Sequence, residues 1–120
     1  MLNRSIVGVI RRRFIFTDRN GIPTFRLTCV GTHFGADDPI VYPNQPGKSH
    51  HHTFTGNTST DAASTPQSLL AATTTCSSRA DLSAYWMPSL LVNNVPTAPT
   101  VAHIYYRNVS GGNVTAFQIG

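Results

Sequence analysis

The chain has 120 residues, of which 40% are hydrophobic and only 12% charged, with no glutamate and a single lysine; this composition allows one domain with a buried core and excludes an intrinsically disordered chain, which is rich in charge and poor in aromatic residues. The formal net charge of +4 arises before residue 14, where four arginines lie, because the rest of the chain balances five positive side chains against five aspartates. A neutral body argues against a nucleic-acid-binding face, and no apolar run approaches the roughly 20 residues of a membrane-spanning helix.

The first predicted elements are a leader and a β-hairpin. Residues 1–13 are expected to form a leader or a poorly ordered segment, and residues 14–120 a single domain. Phe14–Phe16 begins a strand, and the following turn, Asp18–Gly21, ends in the dipeptide Asn-Gly that favours a hairpin. Pro23–Val30 then alternates between two faces as a strand does. These segments predict two antiparallel strands.

Four further strands are predicted, all short. Pro39–Tyr42 is expected to be a strand between two loops. Tyr85–Val92 is expected to be an edge or bulged strand, because its proline cannot donate a hydrogen bond to a neighbour. Val101–Val109 alternates again, and a Gly-Gly turn leads into the last predicted strand at residues 114–119.

One short helix is predicted at about residues 65–72. The run Ser64–Gln67 supplies a capping hydroxyl, a proline for the first turn and a glutamine for a capping box. The expected fold class is therefore mainly β with long ordered loops and one short helix, arranged as a β-sandwich-like or irregular sheet.

Two cysteines, Cys29 and Cys76, are present. An even number in a chain rich in hydroxyl groups favours one disulfide, which would stabilise the fold by about 4 kcal/mol in the chain-entropy model. The alternative is a pair of buried free thiols in a cytosolic protein. A disulfide indicates a secreted or extracellular protein, although the apolar stretch at residues 6–10 is too short for a signal peptide and precedes the arginines instead of following them.

Residues 37–54 read Asp-Asp-Pro-Ile-Val-Tyr-Pro-Asn-Gln-Pro-Gly-Lys-Ser-His-His-His-Thr-Phe. This run resembles the DUF1996 family, whose shared pattern is an Asp-Pro-Ile-Val stretch, a Pro-Gly turn and then Ser-His-x-His. Further similar segments are Phe25-Arg26 with Cys29, His33-Phe34, Gly56–Thr60, Ser64-Thr65, Thr75-Cys76 and Ser83–Trp86 with Pro88.

The resemblance extends from about Phe14 to Arg107 and has three implications. Family members are secreted proteins of actinobacteria and fungi, often found beside wall-associated or carbohydrate-binding modules. The domains are longer than this chain, which would make the chain the N-terminal part of one. The pattern also includes Ser49, His50 and His52, whereas His51 falls at a variable position.

The histidine turn at residues 49–52 is the predicted functional site. In an extended segment His50 and His52 project to one side, about 7 Å apart at ~3.3 Å per residue, and His51 projects to the other. With Asp38, the two histidines are candidate catalytic residues, acting as acid and base or as partners of sugar hydroxyls. Alternatively they are ligands of a divalent metal with open positions, or the turn is only structural.

Two other groups of residues complete the candidate site. Tyr85 and Trp86 are expected to stack against a ligand, with Ser49 beside them, although Trp86 is alternatively a core residue. Asp37 and Asp38 cannot flank one glycosidic bond, because adjacent residues of an extended chain point to opposite faces. Asp38 before Pro39 is alternatively a turn starter.

Three functions are compatible with this sequence. The first is an extracellular domain that binds or acts on cell-wall or other polysaccharide through His50 and His52. The second is a metal-dependent enzyme that uses the same two residues as ligands. The third is a non-catalytic structural domain of the wall. Polysaccharide is the expected partner, nucleic acid is not, and a divalent metal is the one candidate cofactor.

Overall fold

The computed structural model describes residues 16–112, so the predicted leader and the predicted strand at residues 114–119 lie outside the described residues. Within them the chain is mainly β with one short helix, as the sequence predicted. In chain order the elements are β1 (Phe16–Thr17), β2 (Pro23–Cys29), β3 (Gly31–Gly35), β4 (His52–Gly56), α1 (Pro66–Ala71), β5 (Ala84–Pro88), β6 (Leu90–Val92), β7 (Val95–Thr97) and β8 (Ala102–Arg107).

The first sheet, sheet A, has the strand order β1-β2-β8, and neighbouring strands are antiparallel. The predicted hairpin between β1 and β2 is confirmed. Its turn is closed by a 2.9 Å hydrogen bond from the Gly21 N–H to the Asp18 carbonyl, and Gly21 has a φ of 75° that suits glycine. The predicted alternation of β8 is also confirmed, since exposed residues alternate with buried or half-buried ones along the strand.

The second sheet, sheet B, has the order β3-β4-β5 and is also antiparallel. Its central strand, β4, is buried along its whole length. The predicted strand at residues 85–92 is divided into β5 and β6 at Ser89, whose N–H donates to the His51 carbonyl. β5 lies at the edge of its sheet, as predicted from its proline, and β6 pairs with β7 in a separate exposed hairpin.

The core lies between sheets A and B and contains the predicted disulfide. Cys29 at the end of β2 is bonded to Cys76 in the segment after α1, and both are buried beside Leu27. The half-buried side chains around them come from both sheets: Phe25, Ile104 and Tyr106 from sheet A and Tyr85 from sheet B. The disulfide therefore joins sheet A to the segment between α1 and β5.

The prediction of a strand at Pro39–Tyr42 is wrong, because this segment is a turn. The Asp38 Oδ1 accepts hydrogen bonds from the N–H groups of Ile40 and Val41, each at 2.9 Å, and the Tyr42 N–H donates to the Asp38 carbonyl. A side chain that caps its own following residues replaces the partner strand that a β segment needs. The apolar side chains of Ile40 and Val41 are consequently 75% and 61% exposed.

The helix α1 confirms the predicted position but corrects its cap. Thr65 is the N-cap residue, and its side chain accepts from the Ser68 N–H while the Ser68 hydroxyl accepts from the Thr65 N–H. Serine at the third position thus completes the capping box instead of the expected Gln67. Among residues 16–112, no helix has the length and apolar character needed to cross a membrane.

Candidate functional site

The histidine turn leads directly into the buried central strand of sheet B. His50 is exposed in front of β4, whereas His52, its first residue, is only 3% exposed. The two imidazole rings meet edge to face, with centroids 4.3 Å apart and an interplanar angle of 62°. The expectation that these two side chains share one side of the chain is therefore confirmed, and the rings are closer than the spacing along a flat strand suggested.

A hydrogen bond fixes the orientation and tautomer of His52. Its Nδ1 lies 2.8 Å from the carbonyl oxygen of Asp37. Because a carbonyl can only accept, the Nδ1 carries a proton, so in the neutral form of the ring the lone pair lies on the Nε2. The buried histidine is thus held by backbone on one nitrogen, and within residues 16–112 its other nitrogen makes no hydrogen bond.

Asp38 supplies a fixed negative charge beside His52. Burial of this carboxyl, which is 8% exposed, raises its pKa. The hydrogen bonds from the Val41 and Ile40 N–H groups, together with the interactions with His52 and the Trp86 indole, outweigh burial, and the pKa is lowered overall. Asp38 is therefore ionised at neutral pH and is not suited to donate a proton.

A row of rings lines the same face of sheet B. Trp86 lies opposite Phe54 in the register of β4 and β5, and its ring centroid is 6.1 Å from that of Phe54 and 6.5 Å from that of His52. His33 stacks on the other side of Phe54 at 4.7 Å. Trp86 is only half-buried, so one part of the indole packs on the sheet and another part borders solvent near the histidine pair.

The loop at residues 36–49 closes over this face and is tied at both ends. The Ser49 N–H donates to the Ala36 carbonyl at 3.0 Å, and the Asp37 Oδ1 accepts from the Gly47 N–H at 2.9 Å. A loop with joined ends and internal hydrogen bonds is compact and ordered. Ser49 contributes to the site through its backbone, because its N–H sets where the histidine turn begins.

Two other residues, His51 and Tyr85, point away from the histidine pair. His51 lies on the other side of the chain, where its Nδ1 is 2.9 Å from the Ser89 Oγ. Tyr85 belongs to the core: its hydroxyl donates to the Asp81 Oδ2 at 2.7 Å and accepts from the Tyr106 hydroxyl. Burial is the main cause that raises the pKa of Tyr85, so this phenol stays protonated.

His33 also serves the fold. Its Nε2 donates to the Thr60 carbonyl at 2.7 Å, and its Nδ1 lies 2.9 Å from the Thr32 hydroxyl. Both ring nitrogens of His33 are therefore hydrogen-bonded, whereas only the Nδ1 of His52 is hydrogen-bonded within the described residues. Across residues 16–112, no group of three or more histidine, cysteine or acidic side chains is placed to hold a metal ion.

Asn57 is a structural residue that the sequence did not single out for the site. It follows β4 directly, is fully buried, and donates through its Nδ2 to the carbonyls of Leu69 and Leu82. Its Oδ1 accepts from the N–H and hydroxyl of Ser59. In the sequence it belongs to the segment Gly56–Thr60 that resembles the family, but nothing in that segment indicates that the asparagine is buried.

The family model described as "Domain of unknown function (DUF1996)" matches residues 38–120. The chain belongs to this family. The match begins at Asp38 and contains the histidine turn and Trp86, whereas His33 and the Asp37 carbonyl that binds His52 precede it. Neither the curated proteins nor the solved structures contain a match to this chain.

The cluster of Asp38, His50, His52 and Trp86 in this DUF1996 domain combines four chemical properties at one place. It offers an exposed imidazole, an oriented imidazole with a free lone pair, a buried carboxylate and the border of an indole. Imidazole nitrogens exchange hydrogen bonds with hydroxyl groups, and an indole packs on apolar ring faces. The arrangement is suited to a ligand that carries both kinds of surface.

Proposed function

We propose that this chain is an extracellular domain that binds cell-wall or other polysaccharide through His50 and His52. The observation that carries the proposal is the histidine pair itself, in which His52 is buried and oriented by Asp37 and its Nε2 makes no hydrogen bond within residues 16–112, beside the exposed His50. A pair of this kind can donate to and accept from neighbouring hydroxyl groups of a sugar.

The surroundings of the pair support a sugar ligand. Trp86 borders the histidines and is half-buried, so it can pack on the apolar face of a pyranose ring. The surface of the chain is poor in charge, with 12% charged residues, which suits a neutral, hydroxyl-rich partner. The Asp38 carboxylate accepts hydrogen bonds and supplies negative charge behind His52.

The extracellular location is supported by the disulfide. The Cys29–Cys76 bond lies in the core, and disulfides of this structural kind persist in oxidising compartments. Polysaccharides of walls and matrices lie in the same compartment. The location and the ligand class proposed here are therefore consistent with each other.

The test is a pull-down of the purified, tag-free protein with insoluble chitin, cellulose, β-1,3-glucan and peptidoglycan. We expect retention on at least one of these, and a loss of about tenfold in affinity for His50→Ala, because truncating a central polar contact costs about 1–2 kcal/mol. His51→Ala is the matched control, since His51 lies on the opposite side of the chain. Thermal unfolding of each variant shows whether the fold is retained.

Equal retention of wild type, His50→Ala and Trp86→Ala would contradict the proposed site. In that case the histidine turn would only anchor the loop at residues 36–49 and the domain would be structural. A loss in His51→Ala as large as that in His50→Ala would place binding on another surface.

A metal-dependent enzyme is the second candidate, and one observation favours it. Histidines that bind metals usually donate their second ring N–H to a carbonyl or carboxylate, as His52 does to Asp37. His50 and His52 would hold the ion, which would polarise a bound water or substrate oxygen. Elemental analysis of tag-free protein tests this: one bound zinc, manganese, iron or copper per chain, lost in His50→Ala and kept in His51→Ala, is the expected result. Metal-free protein that binds polysaccharide would support the first candidate instead.

A further inference from the structure

The outer face of sheet A carries an exposed ring next to exposed cationic side chains. Along β8, His103, Tyr105 and Arg107 are exposed, whereas the alternating residues face the core. Tyr105 is 56% exposed and lies in the middle of the strand. In the register of the sheet, Arg26 of β2 lies directly opposite Tyr105.

The neighbouring residues complete a flat surface. Thr28 lies opposite His103 on the same face, and the ring centroids of His103 and Tyr105 are 6.4 Å apart. From residue 103 to residue 107 the strand covers about 13 Å. The surface therefore offers a ring, a guanidinium, an imidazole and a hydroxyl along an extended line.

These side chains contrast with their neighbours, which already have partners. Arg107 is paired with Asp18, and the inward Tyr106 is hydrogen-bonded to Tyr85. Arg26 has no carboxylate partner among residues 16–112. An exposed guanidinium beside an exposed phenol is thus available for a ligand.

We propose that this face is a second binding surface, for an acidic polysaccharide that carries uronate carboxylates. Tyr105 would pack on the face of a sugar ring, and Arg26 would pair with the carboxylate of that sugar or the next one. His103 and Thr28 would hydrogen-bond to ring hydroxyls. The surface lies on sheet A, whereas the histidine pair lies on sheet B, so this inference does not depend on the function proposed for the histidines.

The charge balance from Phe14 onward favours a glycan over a nucleic acid. From Phe14 onward five positive side chains are balanced by five aspartates. A nucleic acid presents a phosphate at every nucleotide, and its binding requires several cations along the backbone. One exposed arginine beside one ring instead fits a chain with dispersed charge and a regular succession of sugar rings.

Affinity gel electrophoresis with entrapped polygalacturonate tests the proposal, with uncharged dextran as the reference gel. We expect polygalacturonate to retard the wild type, and salt to weaken the retardation because the surface is exposed. Tyr105→Ala and Arg26→Gln should each weaken binding about tenfold, whereas Tyr105→Phe should keep most of it. Both positions are on the surface, so thermal unfolding should be unchanged.

Arg19→Gln is the matched control, because it removes the same charge from an exposed position in the turn between β1 and β2, outside the strand register that sets Arg26 opposite Tyr105. Three results would overturn the proposal: no retardation of the wild type, equal weakening by Arg19→Gln, or tighter binding of oligothymidylate than of polygalacturonate. His50→Ala serves as a separate arm. Its polygalacturonate binding should match that of wild type, so a failure of the histidine site and a failure of this surface are distinguishable.

Discussion

Asn57 is the residue whose side chain holds the largest number of separate segments in the described part of the domain. It makes four hydrogen bonds, to Leu69 at the helix, to Leu82 before β5 and two to Ser59. The residue is fully buried, and all of its polar side-chain atoms have hydrogen-bond partners. The side chain therefore stabilises the domain only while each of these partners is present. An asparagine of this kind couples three segments by one side chain.

Replacing Asn57 by aspartate should therefore destabilise the domain strongly. The substitution keeps the acceptor for Ser59 but removes both N–H donors, so the carbonyls of Leu69 and Leu82 lose their partner and a charge is buried. We expect the free energy of unfolding in urea to fall by at least about 2 kcal/mol. Gln45→Glu, which adds a charge at an exposed position, should change it by less than about 0.5 kcal/mol.

Two glycines with the same backbone conformation offer a matched comparison. Gly56 has a φ of 81° and Gly47 a φ of 75°. A Cβ on Gly56 would lie 2.8 Å from the Ser83 carbonyl oxygen and 3.2 Å from the Cys76 Sγ, whereas nothing lies within 4 Å of a Cβ on Gly47. Alanine therefore has the same backbone cost at both positions, and only at Gly56 would its Cβ also crowd neighbouring atoms.

Alanine at Gly47 should accordingly cost about 1–2 kcal/mol from the left-handed conformation alone. Alanine at Gly56 should cost a further 1–3 kcal/mol, roughly, because the Ser83 carbonyl is held in place by the Asn57 N–H that donates to it. Urea unfolding of the two variants measures the difference. Equal destabilisation would show that the segment around Ser83 is free to shift.

At the level of elements, the sequence predicted those whose signal is local. The alternation of β2 and β8, the Asn-Gly turn and the proline at the start of the helix each depend on residues within a few positions, and each is confirmed. The prediction of a strand at Pro39–Tyr42 was wrong because its β-branched residues indicate a strand, whereas the preceding Asp38 caps their N–H groups. Capping by a side chain competes with strand pairing and is not visible in hydrophobic periodicity.

The candidate site was predictable only in part for the same reason. The period of two placed His50 and His52 on one side and His51 on the other, and the structure agrees. The same period separates Tyr85 from Trp86, so only one of them can border the site, and the structure places Trp86 there. The hydrogen bond from His52 to the Asp37 carbonyl joins residues fifteen positions apart and depends on the closure of the loop. No local sequence pattern predicts this hydrogen bond.

At the level of the whole molecule, two linkages in the core hold sheet A against the rest of the domain. One is the disulfide, and the other is the hydrogen bond between the Tyr85 and Tyr106 hydroxyls at 2.5 Å. Both lie in the same core. In the described residues, the apolar side chains around them are the buried Leu27 and the half-buried Phe25, Tyr85, Ile104 and Tyr106. We infer that a small core makes the domain depend on its covalent bond.

The double variant Cys29→Ala/Cys76→Ala should lose about 4 kcal/mol, since the bond closes a loop of 47 residues. Alanine avoids placing hydroxyl groups in a buried position. The measurement is urea unfolding of the variant beside wild type with and without reductant. Wild type with reductant should approach the variant, and a loss below about 1 kcal/mol would contradict a core that depends on the disulfide.

Stability should also fall in acid because of Asp38. Burial raises its pKa, but the hydrogen bonds from Val41 and Ile40 lower it below the ordinary value of 3.8 overall. The stability that results is present above pH 3.8 and is lost as the pH falls through the lowered pKa of the folded state. Asp38→Asn keeps an oxygen for the two N–H groups and removes the charge. Its urea midpoint should depend less on pH between pH 5 and pH 2 than that of wild type or of Asp61→Asn, where an exposed carboxylate is removed.

Nitrogen NMR of the five histidine side chains observes the proposed ligand-binding pair directly. We expect His52 to carry its proton on Nδ1 and its lone pair on Nε2, as its hydrogen bond to Asp37 requires. Soluble oligosaccharides of chitin, cellulose, β-1,3-glucan and peptidoglycan should shift the ring nitrogens of His50 and His52 for the one that binds, and leave those of His33 and His51 unchanged. A proton on the Nε2 of His52, or binding of a glycan without any shift at His50 and His52, would contradict the proposed site.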